Sequence, residues 1–172
     1  MSIKGVTFQE NLGNPLNTHN FIVRFAGSPQ LESIQMMVSS TTFPSEVLQE
    51  YELYFQGERL KFPSLPRSDG KWSCTMPEGE RAKMQKALEE HMALQYNQQT
   101  GQLLHWAVTD KFTIDVIARG LRGGADDPDS EVFGVRMIGA FMVGKGPVNL
   151  DNSAITTHWN WSVEFSYDWL EN

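Results

Sequence analysis

Ile155-Thr-Thr-His-Trp-Asn-Trp-Ser-Val-Glu-Phe-Ser-Tyr-Asp-Trp169 decides how this chain is read. Trp159, Trp161, Val163, Phe165, Tyr167 and Trp169 take the odd positions; His158, Asn160, Ser162, Glu164, Ser166 and Asp168 take the even ones. Apolar and polar residues alternate with a period of two, which in a strand gathers each kind on its own face. A helix would scatter the same aromatics round its axis. Aromatic side chains sharing one face carry a large apolar surface, so the stretch predicts a strand that anchors a sheet. The other face is small, polar and partly acidic, and is expected to meet water.

Working outward, Lys111–Arg119 reads as a strand with Phe112, Ile114, Val116 and Ala118 on one face and Thr113 and Asp115 on the other. Val132–Val143 reads as another, kinked near Gly139. Gly120–Ser130, rich in glycine and aspartate, is expected to be a loop, and Gly144–Asp151 a turn into the last strand. Towards the N-terminus, Asn20–Ala26 and Ile34–Ser40 read as strands, the first ended by Gly27-Ser28-Pro29. Val47–Phe62 reads as a hairpin. Tyr51, Leu53 and Phe55 form one face, Gly57-Glu58 sits at the turn, and Leu60 and Phe62 continue beyond it. Pro63, Pro66 and Asp69-Gly70 then predict a loop, and Lys71–Thr75 a short strand.

One helix is predicted. Thr75-Met-Pro-Glu78 has capping-box spacing, and Met84, Leu88 and Met92 recur every four residues as an apolar stripe running towards Asn97. Glu78 and Glu80 suit its positive end. Residues 1–17 read as an N-terminal arm and 18–172 as a single domain.

With 172 residues and 40% hydrophobic content the chain is long enough for one core. No apolar run has the length of a membrane span, so no membrane insertion is expected. The opening Met-Ser-Ile-Lys-Gly-Val lacks the apolar segment of a cleaved signal. Cys74 is the single cysteine, which excludes an internal disulfide. A net charge of −7 argues against a nucleic-acid clamp, but not against a surface that nucleic acid must pass without sticking.

The chemistry-bearing motifs are weak. Gly139-Ala-Phe-Met-Val-Gly144-Lys145 fits seven positions of a phosphate-binding loop, but Gly146 stands where a hydroxyl should hold magnesium. Its apolar middle reads better as strand and turn. Asp126, Asp127, Asp129 and Glu131 lack the spacing and central glycine of a calcium loop. His19, His91, His105 and His158 show no metal-ligand spacing and read as surface or half-buried residues. Nothing local selects a Ser-His-Asp set, and no Gly-x-Ser-x-Gly elbow occurs. The reading expects no enzyme, no cofactor and no metal.

Arg136-Met-Ile-Gly-Ala-Phe141, then Pro147-Val-Asn-Leu-Asp151, then Trp161-Ser-Val-Glu-Phe-Ser-Tyr-Asp-Trp169 resemble the C-terminal third of the tail tube proteins of contractile-tailed bacteriophages. In that family a Gly-Ala-Phe-Pro strand precedes a short turn and a final strand ending close to Phe-Ser-Tyr-Asp-Trp. Met142 here replaces the proline. Asn20-Phe-Ile-Val-Arg-Phe-Ala-Gly27 resembles the family's opening strand. Ser39–Glu46, with Phe43-Pro44-Ser45, resembles the lead into its protruding hairpin.

The resemblance implies a mainly β fold: a two-sheet β-barrel or sandwich with one flanking α-helix and a protruding β-hairpin. It implies six-fold rings of this chain stacked head to tail into a hollow conduit for DNA ejection into the host. Each subunit is implied to give about four strands to the lumen wall. About twenty-four strands at ~4.8 Å spacing and ~40° tilt give a bore on the order of 35–40 Å once side chains are subtracted, wide enough for duplex DNA. Implied partners are the tail sheath, tape-measure, baseplate and tail terminator proteins, with genomic DNA in transit and not specifically bound. The implied location is the virion tail, assembled in the host cytoplasm. By alternation, the lumen candidates are Asn160, Ser162 and Glu164 on the last strand and Thr113 and Asp115 on the earlier one. An acidic, small-polar wall repels phosphates, so DNA slides. The hairpin is expected to reach the adjacent ring through Tyr54, Gln56, Gly57, Glu58 and Arg59. Two alternatives stand beside this: a type VI-like secretion tube ring of the same architecture, and a monomeric β-barrel whose aromatic face binds a ligand.

Overall fold

A computed structural model describes residues 20–79, 81–97, 99–104, 111–120, 131–148 and 159–171. In chain order the elements are β1 (Phe21–Ala26), α1 (Pro29–Glu32), a 3-10 turn (Gln35–Met37), β2 (Ser40–Thr41), β3 (Glu46–Phe55), β4 (Glu58–Ser68), β5 (Lys71–Pro77), α2 (Lys83–Gln95), β6 (Phe112–Arg119), β7 (Glu131–Lys145), β8 (Asn160–Ser166) and β9 (Trp169–Glu171). The predicted arm, most of the Gly120–Ser130 loop, and Ile155–His158 lie outside the described residues.

Strand β7 organises the body. Its first part pairs with β6, its Arg136–Ile138 segment also pairs with β9, and its Phe141–Lys145 end pairs with β8. The antiparallel order β1-β6-β7-β8-β5-β2, with β9 on β7, therefore folds over at β7 into two layers. One layer is β1-β6-β7-β9 and the other β7-β8-β5-β2. The predicted kink at Gly139 is the corner, with φ at +71°. A side chain there would strike the Asp168 carboxylate, whose Cγ would lie 2.8 Å from an added Cβ. Lys111 Nζ holds that carboxylate at 2.8 Å from Oδ1.

Aromatic rings close the space between layers. Phe165 of β8 lies 5.6 Å from Phe25 of β1, 5.5 Å from Trp72 of β5 and 5.9 Å from Phe112 of β6, between ring centroids. Phe25, Ile114, Met137, Met76, Val163 and Phe165 are fully buried around them. Their removal from water is the main source of stability for such a fold. The expected two-sheet, mainly β architecture is present as a sandwich, and the described strands do not close into a barrel. Helix α2 flanks it, burying Met84, Ala87 and Leu88.

The final stretch alternates as read from Trp161 to Tyr167, all buried at the odd positions. The phase then flips at the corner. Leu170 packs towards the core, whereas Trp169 is 57% exposed, and Trp159 before the strand is 39% exposed. The stretch is thus two strands following β7 round its bend, and not one.

Four other expectations change. Ile34–Ser40 is not a strand: Ile34 is buried, the 3-10 turn follows, and only Ser40–Thr41 pair with β5. Pro29 opens a one-turn helix that periodicity missed, because four residues are too few to show a period. Helix α2 begins at Lys83, since pairing with β8 keeps β5 extended to Pro77. The loop predicted at Pro63 and Pro66 is part of β4. Proline is tolerated there because β4 belongs to a two-stranded ribbon, where a missing N–H can face outward.

Candidate assembly surfaces

The β3–β4 hairpin pairs only with itself among the described residues, and every residue of β3 is exposed. Its turn is Gln56-Gly57, one residue earlier than predicted, with φ of +51° and +85°. Two successive positive φ values give a tight hairpin turn whose twist matches the strands. Cross-strand register places Tyr51 against Phe62 and Leu53 against Leu60, with Phe55 on the same face. The Tyr51 and Phe62 rings stack at 5.4 Å. The opposite face is ionic: Arg59 bonds Glu52, and Lys61 Nζ lies 2.6 Å from Glu50 Oε1. The ribbon is amphipathic and, among the described residues, its apolar side remains exposed.

The residues singled out from the sequence, Tyr54, Gln56, Gly57, Glu58 and Arg59, fall at the tip and on the ionic face. The apolar face was legible as a face, but not as an uncovered one. The missing signal is topological: a two-stranded ribbon has no third layer to pack against.

At the base the ribbon is tied down. Tyr167 Oη hydrogen-bonds Ser68 Oγ, and the Tyr167 amide donates to the Gly70 carbonyl at 3.0 Å. Burial raises the Tyr167 pKa, opposed in part by the Ser68 bond. The hairpin thus leaves the body at a set point while its shaft stands clear.

The lumen candidates do not come together. Asn160, Ser162 and Glu164 lie on the outer face of β8 beside β5, where Lys71 Nζ reaches Glu164 Oε1 at 2.9 Å. That bond and the Glu164 charge raise the Lys71 pKa. Thr113 and Asp115 lie on the outer face of β6, in the other layer. Arg136 Nε lies 2.8 Å from Asp115 Oδ1, and this pairing raises the Arg136 pKa. Since the layers share one core, these two faces point away from each other. Neither acid stands alone, so the wall expected to repel phosphate through them is charge-paired at both positions.

The remaining motifs are absorbed by structure. The Gly139–Lys145 stretch is strand, and Lys145 bonds Glu89 at 2.8 Å and lies over the Trp161 ring. His91 is buried, not on the surface, with Nδ1 3.0 Å from Ser28 Oγ and its ring edge-on to Phe112. Cys74 is buried, which pushes its thiol up to about 12. His19, His105, His158, Asp126, Asp127 and Asp129 lie outside the described residues.

No family model matches the sequence, and no curated protein sequence matches it. Solved structures do. A chain of the PVC sheath–tube complex of an extracellular contractile injection system, in its extended state, superposes with a TM-score of 0.63 at 12% identity, over 99% of this chain and 97% of that one. A chain of the anti-feeding prophage baseplate gives 0.65 at 12% identity, over 92% and 95%. A chain of the anti-feeding prophage tube-terminating cap gives 0.64 at 14%, over 92% and 90%. The chain has the fold found in these contractile systems. At such identities the likeness shows fold, and it spans 92–99% of this chain. The resemblance first seen in the C-terminal motif is therefore carried by the architecture as well.

Proposed function

We propose that this chain is a structural, non-enzymatic tube subunit that forms six-fold rings, stacked head to tail into a conduit. The observation that carries the reading is the hairpin. It exposes Tyr51, Leu53, Phe55, Leu60 and Phe62 on one face that no second layer covers among the described residues, on a fold otherwise found in contractile systems. A contiguous exposed apolar face marks an interaction site. The apolar side is proposed to lie on a neighbouring subunit of the adjacent ring, with the tip residues Tyr54 to Arg59 at the far end of that contact. The layer β1-β6-β7-β9, with two unpaired edges among the described residues, is proposed to supply the continuous wall. Thr113 and Asp115 then face the bore, and Asn160, Ser162 and Glu164 face outward.

Genomic DNA is the proposed cargo in a virion tail. Sheath, tape-measure, baseplate and terminator proteins are the proposed neighbours, with assembly in the host cytoplasm. The bore face pairs its acid with Arg136, so passing phosphates meet compensated charge. A second reading, a ring of an extracellular injection system, is favoured by the systems in which the fold recurs. The ligand-binding alternative loses ground because Trp161, Phe165 and Tyr167 are spent in the chain's own core.

Negative-stain electron microscopy of the concentrated protein tests the reading. Hollow six-fold rings or tubes are expected. A uniform monomer, also in the presence of particle-derived tube ends as seeds, overturns it. Nuclease-protected DNA in tubes drawn from intact particles separates the virion from the injection-system reading.

A further inference from the structure

One row of side chains crosses the outer face of the β1-β6-β7-β9 layer. Arg24 is in register with Asp115, Asp115 with Arg136, and Arg136 with Glu171. The row therefore reads plus, minus, plus, minus across four adjacent strands. Within it, Arg136 Nε lies 2.8 Å from Asp115 Oδ1, and Arg136 reaches Glu171 Oε2 at 3.8 Å. The row begins on β1 with a cation and ends on β9 with an anion. Both strands lie at edges of the layer among the described residues.

We propose that this ladder continues from one protomer to the next, with Glu171 of one copy set against Arg24 of its neighbour, so that a closed belt of alternating charge runs round the ring. The proposal rests on the ring reading above and names its lateral seam. Two independent periods support it. The layer has an even number of charges in its row, so a head-to-tail repeat puts minus against plus at every seam. It also has an even number of antiparallel strands. A rotation that carries β1 of one copy beside β9 of another therefore brings the two strands together antiparallel, the sense of every other pair in the layer. A heterologous contact of this kind satisfies two edges that would otherwise template uncontrolled pairing. Like charges placed opposite each other on adjacent strands oppose pairing, so the row also rejects a contact in which two β1 edges or two β9 edges meet.

Charge reversal tests the seam. In Arg24→Glu the seam carries two carboxylates, and in Glu171→Arg two guanidiniums. Each variant alone is expected to lose rings while keeping the wild-type circular dichroism spectrum. Mixed in equal amounts they are expected to form rings again, because an alternating order restores an opposite pair at every seam. Repair within one chain cannot produce that rescue. If either reversal disturbs the subunit, Arg24→Gln and Glu171→Gln replace them. Each is then expected to form rings whose stability depends less on salt than the wild type's. Reversed variants that assemble as well as wild type overturn the ladder while leaving the ring reading intact. So does a mixture of folded variants that stays unassembled, or neutral variants with an unchanged salt response. Absence of rings from the wild type overturns both.

Discussion

Glu78 shows at the scale of one residue how the sequence signal and the structure diverge. Its spacing from Thr75 predicts a capping box, yet Thr75 and Met76 stay in β5 because Met76 is fully buried opposite Trp161. The tertiary contact overrides the local signature. Glu78 still caps the helix, from five residues before its start. Its carboxylate accepts hydrogen bonds from the Met84 amide at 3.1 Å, the Gln85 amide at 2.8 Å and Trp161 Nε1 at 3.0 Å. It thereby takes over the role that Ala82, at the N-cap position, has no side chain to fill. Burial pushes the Glu78 pKa up, but the bonds from Trp161, Gln85, Met84 and Gly79 outweigh it and hold the carboxyl below the ordinary glutamate value. A lowered folded pKa stabilises above the unfolded value and loses that contribution as pH falls through the folded one. Glu78→Gln is therefore expected to cost about 1 kcal/mol near neutral pH, the usual worth of an N-terminal cap, or about 2–4 °C in melting temperature for a chain of this size. Thermal melts from pH 7 down through the acid range should show the two proteins converging. A gap that persists unchanged at low pH would mean that the charge of Glu78 contributes nothing.

At the scale of elements, the strands with one buried face were legible. β1, β5, β6, β8 and the Gly139 corner of β7 all follow from period-two alternation and one glycine, because a half-buried strand writes its environment into its sequence. The elements that were not legible lack such a face. The 3-10 turn and α1 are too short for a period. β4 carries prolines that signal a loop unless the strand is known to be an unpaired edge. β9 is concealed because the phase flip at Asp168 looks like continuation. The hairpin is the instructive case: its alternation was plain, but the contact with the adjacent ring was expected at its tip, Tyr54 to Arg59, and not on its apolar face. Since that face is already largely exposed in the subunit, polar substitution there removes little beyond the Leu53–Leu60 cross-strand pair. Leu53→Ser with Leu60→Ser is expected to leave the melting temperature within about 2–4 °C of wild type, the shift that about 1 kcal/mol makes in a chain of this size, while tubes are lost or shortened to single rings. Sedimentation and electron microscopy of the same sample read both quantities. Normal tubes from this variant would remove the hairpin's apolar side from the inter-ring contact.

At the scale of the whole molecule, alternation identified two polar faces, but only the layering shows that they point apart. A sequence fixes which residues share a strand face. It does not fix which side of a sandwich that face takes, because that depends on how two strands distant in sequence stack. Thr113 and Ser162 therefore make a sharp pair. Both lie on outer faces, one on β6 and one on β8, and neither belongs to the charge ladder or to an ion pair among the described contacts. The native Cys74 is buried with its thiol pushed up to about 12, so it stays silent to maleimides near neutral pH. Thr113→Cys and Ser162→Cys can then be read against a blank background in sheath-free tubes. A small maleimide is expected to label Ser162→Cys at once and Thr113→Cys slowly, through the tube ends. A maleimide on a polymer too large for a bore of about 35–40 Å, the width estimated from strand number and tilt, is expected to label only Ser162→Cys. Disassembled subunits should label at both positions, half-buried Thr113→Cys somewhat more slowly than exposed Ser162→Cys, so the difference in tubes is read relative to that monomer ratio. The reverse pattern in tubes would put the β8 face, with Asn160, Ser162 and Glu164, inside the bore, and would move the continuous wall to the β7-β8-β5-β2 layer. It would also place the Arg24-to-Glu171 row on the tube exterior and leave β1 and β9 out of the wall's strand pairing, so the closed belt of alternating charge would lose its basis.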